Sequence, residues 1–545
     1  MTLQPAIGEE RRTFELSVGQ LMWIALGTLF VGLRLAAVLS VPVGGIELDS
    51  LAGAWQAHTG NTDDRFIPTL FQAVTSWSFV FTTSEAPARI LALLASCTVP
   101  FAFYRMRLSL GETGAMAALL ILGLDPFAVL LGSTAWHGGF DIAIVVWVLV
   151  LVHEDGLPDW VYGVAGFLVA TAGALVLPII LAFAAVRLFT QQYPSRTRIF
   201  WTGGGALAGG LLATAGFGYG LQDPTIPPIT ALARGFETDW SNASTGSLVL
   251  FYGIPLLLLG VGTASYHAYQ RWREGTWPEG SLGPLVAAGI VLAWIVVANT
   301  ANDPVPAAAA TIPFAILIGK ETPRAMRAFS RIRWLYAAPA IAGLVLMLLI
   351  AGSYTVDWAR VGRVGGAGDK LIVLGLVIAA VAFGGLLLSN RRTAPGLLVP
   401  FLGAAGLLML SGAANVAFGG PDEPLPSPVN SAQGAEIRAI ALATRTDQGG
   451  LIVVHPDFEA ASTWPMRDSG TVVYASRVPP DATVVVWPVT LPAPDGFAVI
   501  DGQWSFDEIR RGPDGGFLRY LRWLSDRNFL KNGSEPLAVY LRTTP

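Results

Sequence analysis

The side chains best placed to do chemistry are carboxylates at the edges of apolar stretches. Gly45-Ile-Glu-Leu-Asp-Ser50 follows at once on an apolar run from Leu21 to Val43, so Glu47 and Asp49 stand where the chain leaves a bilayer. Carboxylates in that position suit chemistry at the membrane surface on a lipid-borne substrate. The plainer alternative is a solvated loop turn, the ordinary fate of a loop acid. Asp125, in Leu122-Gly-Leu-Asp-Pro-Phe127, lies inside an apolar span, where an ionisable group is costly and faces a cavity or a partner. Its alternative is a cap on a helix broken at Pro126. Asp141, in Trp136-His-Gly-Gly-Phe-Asp141, opens a further span, where it could also simply favour the helix dipole. His58 and His137 have no ligand-like spacing and read as loop or interface residues rather than metal ligands. Arg34, near the end of the first apolar run, either snorkels or pairs with an acid.

These residues must be positioned by a membrane protein. A chain of 545 residues that is 53% hydrophobic and 13% charged cannot be folded into soluble domains without exposing apolar surface. The mean hydropathy of +0.55 agrees. The lone cysteine, Cys97, rules out an intrachain disulfide. A net charge of −4 with no basic tract argues against nucleic acid as a partner.

Stretches of about 20 apolar residues cross a bilayer as helices. On that rule about thirteen spans are predicted, near 18–41, 86–104, 112–132, 138–152, 160–174, 176–190, 201–220, 247–267, 282–299, 305–319, 334–353, 370–389 and 396–417. The stretch 160–190 is read as a short hairpin broken near Gly173 to Pro178. With it, the basic loops fall on one side, from Arg11 and Arg12 through Arg105, Arg107, Arg196, Arg198, Arg271, Arg324 and Arg327 to Arg391 and Arg392. That side is the cytoplasm by the positive-inside rule. The first 17 residues form a cytoplasmic tail, the membrane domain runs over 18–418, and its first outer loop covers 42–85. Aromatic residues of that loop, among them Trp55, Trp77, Phe79 and Phe81, form an interfacial belt or line a lipid entrance.

After Gly419 a proline-rich linker (419–434) leads into a soluble region, 435–545, placed outside the plasma membrane by the odd number of crossings. Its pattern predicts helices over 436–446 and 517–529 and strands over 451–455, 471–475, 483–487, 497–500 and 537–542, enough for one small α/β core. No internal repeat is evident, which weakens a transporter reading.

Several segments together resemble a family. Arg34-Leu35, then Glu47-Leu-Asp49-Ser, then Phe66-Ile-Pro68-Thr-Leu-Phe look like the opening of the GT-C membrane glycosyltransferases, which include protein O-mannosyltransferases and aminoarabinose transferases. Glu85-Ala-Pro-Ala-Arg89-Ile, Leu124-Asp-Pro126 through Asp141, and Gly166 to Pro178 continue the likeness in order. In the C-terminal region, Trp464-Pro-Met-Arg-Asp468 with Val472-Val-Tyr474 resembles GT-C-like proteins associated with flippases in archaeal N-glycosylation.

The resemblance implies a GT-C-like polytopic α-helical fold and a polyprenyl-phosphate-linked sugar as donor, transferred to a protein, lipid or glycan acceptor on the outer face. By motif position the general base is Asp49, with Asp141 as a second acid near the site; Glu47, Asp125 and His137 are further candidates for substrate contact. A carboxylate in hydrogen-bond reach can take the proton of the attacking hydroxyl. The departing phosphate needs positive charge instead, from Arg65, Arg234 or a divalent metal ion. Three departures stand against the family pattern: Ser50 follows Asp49 where the family commonly has Glu, the proline pair is reduced to Ile67-Pro68, and Thr171-Ala-Gly173 lacks the family's lysine. They keep open a non-catalytic GT-C scaffold or assembly subunit and, less well supported, a flippase of lipid-linked sugars.

Overall fold

The computed structural model describes residues 17–59 (except 42 and 44), 70–81, 84–153, 157–172, 176–189, 195–215, 281–298, 305–331, 398–418, 451–458, 472–500, 508–511, 531–534 and 537–543, with isolated positions between them. The expected spans 334–353 and 370–389, most of 247–267, the linker, and the helix expected at 517–529 lie outside the described residues.

The membrane part is a bundle of helices joined by short turns. The first are α1 (Val18–Ser40), α2 (Gly45–Thr59), α3 (Leu70–Ser78), α4 (Glu85–Cys97), α5 (Val99–Leu110), α6 (Glu112–Leu124) and α7 (Pro126–Leu131). They are followed by α8 (Gly138–His153), α9 (Trp160–Thr171), α10 (Val176–Phe189), α11 (Arg196–Ala215), α12 (Leu282–Ala298), α13 (Val305–Phe329) and α14 (Leu398–Ala417). Among the described residues three helical runs are long and apolar enough to cross a membrane by themselves: Val18–Ser40, Glu85–Leu110 and Leu398–Ala417. The 160–190 stretch is broken as expected, with α9 ending at Thr171 and α10 starting at Val176.

Two expected spans differ from simple rods, and proline explains both. Pro100 near the start of α5 cannot donate to the carbonyl of Ser96, and the helix steps at Thr98 before running on to Leu110, beyond the expected end at 104. Pro126 likewise leaves the carbonyl of Leu122 without its helical donor and pushes Asp125 to an extended conformation (φ −69°, ψ 118°). The span 112–132 is therefore two helices, α6 and α7.

A third difference concerns the first loop. Much of 42–85 is helical: α2 carries Glu47 and Asp49 in its first two turns, and α3 returns toward α4. Glu47 is 1% exposed, so the solvated-turn reading fails for it.

Glycine sets how closely two of the core helices approach. A Cβ on Gly319 of α13 would lie 2.6 Å from the carbonyl oxygen of Gly114 on α6, and a Cβ on Gly114 would collide with the carbonyl oxygen of Gly319. Small residues at such crossings let backbones meet where lipid supplies no hydrophobic drive. Gly319→Val is expected to force the helices apart and destabilise the fold by about 1–3 kcal/mol or more. Gly203→Ala on α11, which meets nothing within 4 Å, is the collision-free control and should be no less stable than the wild type. Thermal unfolding of the two variants in detergent checks this; equal melting temperatures would contradict the packing.

The C-terminal region holds a five-stranded sheet in the order β2-β1-β3-β7-β4, built from β1 (Leu451–Val454), β2 (Val472–Tyr474), β3 (Ala482–Pro488), β4 (Phe497–Val499) and β7 (Leu537–Arg542). The strands β2, β1 and β3 are parallel, while β7 is antiparallel to both β3 and β4. The β-branched run of β3 is almost wholly buried, as expected of a central strand covered on both faces. One face carries Ile452, Val454, Val484, Val486 and Val539; the other carries Val453, Val485, Trp487 and Tyr540. The five strands read from the sequence are present within a residue or two at each end. A separate antiparallel pair, β5 (Glu508–Arg511) with β6 (Lys531–Ser534), has no counterpart in that reading. Its Lys-Asn-Gly-Ser strand has none of the β-branched or aromatic residues that mark a strand in sequence.

Candidate active site

The first turn of α2 is fixed by a buried ion pair. Arg89, one turn into α4, donates from Nε to Glu47 Oε1 at 2.7 Å and from Nη2 to Glu47 Oε2 at 2.6 Å, the two-pronged geometry that favours arginine over lysine. The remaining Nη1 donates to the carbonyls of Val38 (2.9 Å) and Val41 (2.8 Å), which lie at the end of α1 where helical donors run out. Glu47 Oε1 also accepts from the backbone N–H of Ala135 at 2.8 Å. One arginine and one glutamate thus join the end of α1, the start of α2, α4, and the turn between α7 and α8. Both side chains are nearly inaccessible to solvent, and this geometry is that of a structural clamp.

The turn that Glu47 holds leads directly into the second acid. His137 Nδ1 lies 2.9 Å from Asp141 Oδ2, one turn apart at the start of α8, with Asp141 fully buried and His137 partly open. The buried carboxylate faces the first turn of α8, where the helix dipole favours negative charge. The Glu47 to Ala135 bond brings the start of α2 against the turn that leads to His137 and Asp141; Asp49 follows Glu47 by two positions, a spacing that does not share a helix face. The Asp49 side chain itself lies outside the described residues, as do Arg65 and Arg234.

Asp125 is placed elsewhere, in the break between α6 and α7. Its Oδ2 accepts from the N–H of Ala128 at 3.0 Å, the N-cap bond of α7, and the Thr311 hydroxyl of α13 also lies against it. Arg34 completes the same junction. It is 1% exposed, and donates at 3.4–3.5 Å to the carbonyls of Gly123 and Leu122 and at 3.1–3.3 Å to those of Phe30 and Ala128. Its guanidinium also stacks 3.5 Å over the Phe30 ring. Arg34 therefore supplies donors to carbonyls at the junction where Pro126 removes one. Of the two alternatives for Asp125, the geometry is that of the helix cap.

His58 is exposed and lies among rings, 5.5 Å from Trp55 and 6.1 Å from Phe79. Among the described residues no group of three or more His, Cys, Asp and Glu side chains comes together as a metal site. The residue to which sequence reasoning gave no role in this site is Arg89, although its segment is among those that resemble the family. Its signal was available as an arginine in an apolar span, at the far side of the loop from an acid; the pairing itself needs the fold.

No protein-family model matches the chain, and no curated protein matches it. Solved structures do. ArnT from Cupriavidus metallidurans bound to undecaprenyl phosphate is similar over 96% of this chain and 98% of its own, with a TM-score of 0.52 at 13% identity. The same protein in the apo state gives a TM-score of 0.53 at 13% identity, over 95% of this chain and 97% of its own. At this identity the likeness shows the fold alone: a polytopic helical membrane protein folded like ArnT, with a C-terminal sheet.

Proposed function

We propose that the chain transfers a sugar from a polyprenyl-phosphate donor to an acceptor on the outer face of the membrane, with Asp49 as the general base and Asp141 as the second acid of the site. The observation that carries this reading is the fold likeness, which extends over both the helical bundle and the C-terminal sheet and includes a neighbour with undecaprenyl phosphate bound. The local geometry supports it. Glu47 clamps the start of α2, the helix that carries Asp49, to the turn leading to His137 and Asp141, so both candidate acids belong to elements that meet at one end of the bundle.

In the reaction the acceptor oxygen attacks the anomeric carbon, its proton passes to a carboxylate, and the bond to the phosphate oxygen breaks. The leaving phosphate carries its own charge away and needs cations rather than an acid; Arg65 and Arg234 are proposed for that role, with a divalent metal ion as the other source of charge. Glu47 and Asp125 contribute in this scheme by holding the helices. The test is transfer from a radiolabelled polyprenyl-phosphate sugar by purified protein in nanodiscs, across several donors and acceptors. Turnover by none of them would favour a non-catalytic scaffold, which Ser50 and Ala172 at family positions already suggest.

The same reading sets the orientation. Arginine-rich loops on the cytoplasmic side and an odd number of crossings put residues 435–545 outside. Protease or a membrane-impermeant label added to intact cells is expected to reach that region, and its protection would reverse the topology.

A further inference from the structure

The described residues between β1 and β2 divide between two clusters. Phe458 and Met466 enter the core of the C-terminal sheet, whereas Trp464 enters a separate cluster with Leu51 and Ala54 of α2, Phe79, Ala88 of α4, and Ala135. Trp464 is among the largest fully buried side chains of the described residues. Its ring lies 5.3 Å from that of Phe79, at 38°, and 6.4 Å from that of Trp55, nearly perpendicular. Its indole N–H donates to Glu85 Oε1 at 3.1 Å. Glu85 stands one turn before Arg89 on α4 and adds to the negative field on that guanidinium, and Arg89 in turn grips Glu47.

We propose that Trp464 is a positioning residue for the candidate active site, through which the C-terminal domain holds α2 in its working place. The proposal deepens the transferase reading and rests on it for its catalytic consequence. A helix of 15 residues is marginal by itself, so packing decides where α2 lies. Two of the side chains that pin it, Leu51 and Ala54, are fully buried beside the indole and lie two and five positions from Asp49. The ion pair fixes the first turn of α2, and Trp464 fixes the turns after it. Removing the indole frees the second constraint and spares the first, so α2 would pivot about Glu47 and carry Asp49 with it.

The test uses the full chain in nanodiscs on a Cys97→Ala background. Gln56→Cys, on the half-buried face of α2, reports the position of that helix by its rate of maleimide modification, and Leu207→Cys, exposed on α11, is the control. Trp464→Leu, which keeps apolar bulk, is expected to raise the rate at position 56 about tenfold by freeing local opening, with position 207 unchanged. Trp464→Phe, which keeps the ring, should restore most of the protection. In the transfer assay Trp464→Leu is expected to lower kcat by about 10–100-fold with little change in donor KM, since a displacement of about 1 Å can cost as much. Labelling at the wild-type rate in Trp464→Leu, or raised labelling with unchanged kcat, would overturn the proposal. Absence of turnover in the wild type would remove the transferase reading alone, and the labelling rates would still decide whether Trp464 holds α2.

Discussion

Asp49→Asn is expected to lower sugar transfer by roughly 10²–10⁴-fold, the range for loss of a general base, in a protein that still folds and still binds the lipid donor. The amide matches the carboxylate in size and can accept a hydrogen bond, but it cannot take up the acceptor's proton, so the loss falls on kcat. The neighbouring acid is the natural comparison. Both oxygens of Glu47 are occupied by Arg89, and one also by the Ala135 amide, so a change there acts through the position of α2. A drop in melting temperature should therefore accompany any loss in Glu47→Gln and be absent from Asp49→Asn. Asp141→Asn should also reduce turnover, by disturbing the contact with His137. Turnover in Asp49→Asn equal to wild type would remove Asp49 as the base.

The largest effect on stability is expected at Arg89. Arg89→Ala leaves the Glu47 charge buried without its partner and takes the donor away from the carbonyls of Val38 and Val41. Breaking one side of a buried pair costs about 3–5 kcal/mol. Arg89→Lys should recover little of it, because an ammonium cannot bridge both carboxylate oxygens and reach two carbonyls in the same plane. The double replacement Arg89→Met with Glu47→Leu should be milder than Arg89→Ala alone, since no uncompensated charge remains. Thermal unfolding in a single detergent orders the four proteins. An Arg89→Ala variant as stable as wild type would show that the pair does not clamp the loop.

What the sequence made legible follows from which forces act locally. Apolar length marked α1, α8 and α14 to within a few residues, because desolvating a helix depends on composition alone. Alternating and β-branched runs marked the strands of the five-stranded sheet for the same reason. The break at Asp125 was open in the sequence as a cap on a helix ended by Pro126, whereas the step at Thr98, equally written in Pro100, was masked by an apolar count that reads straight through. Of the candidate site, the sequence offers the acids in order along the chain. Their division of labour is not legible there, because it depends on what meets them in space. Glu47 and Asp49 look alike in the chain, and only the fold shows that Glu47 is taken up by an arginine 42 positions away. Arg34 looked like a snorkelling or acid-paired residue, whereas its principal partners are carbonyls about 90 positions distant.

The hydrogen bond from Trp464 to Glu85 joins positions 379 residues apart. At a synthesis rate of about 5–20 residues per second, the indole emerges roughly 20–75 s after the glutamate it binds. The helices around Glu47 and Arg89 can thus be inserted and paired while the rest of the chain is still being made, but the aromatic cluster over α2 must wait for one of the last segments to be translated. Completion of that cluster is therefore a late event in biogenesis, and a nascent or truncated chain would meet its lipid surroundings with the wall over α2 still open.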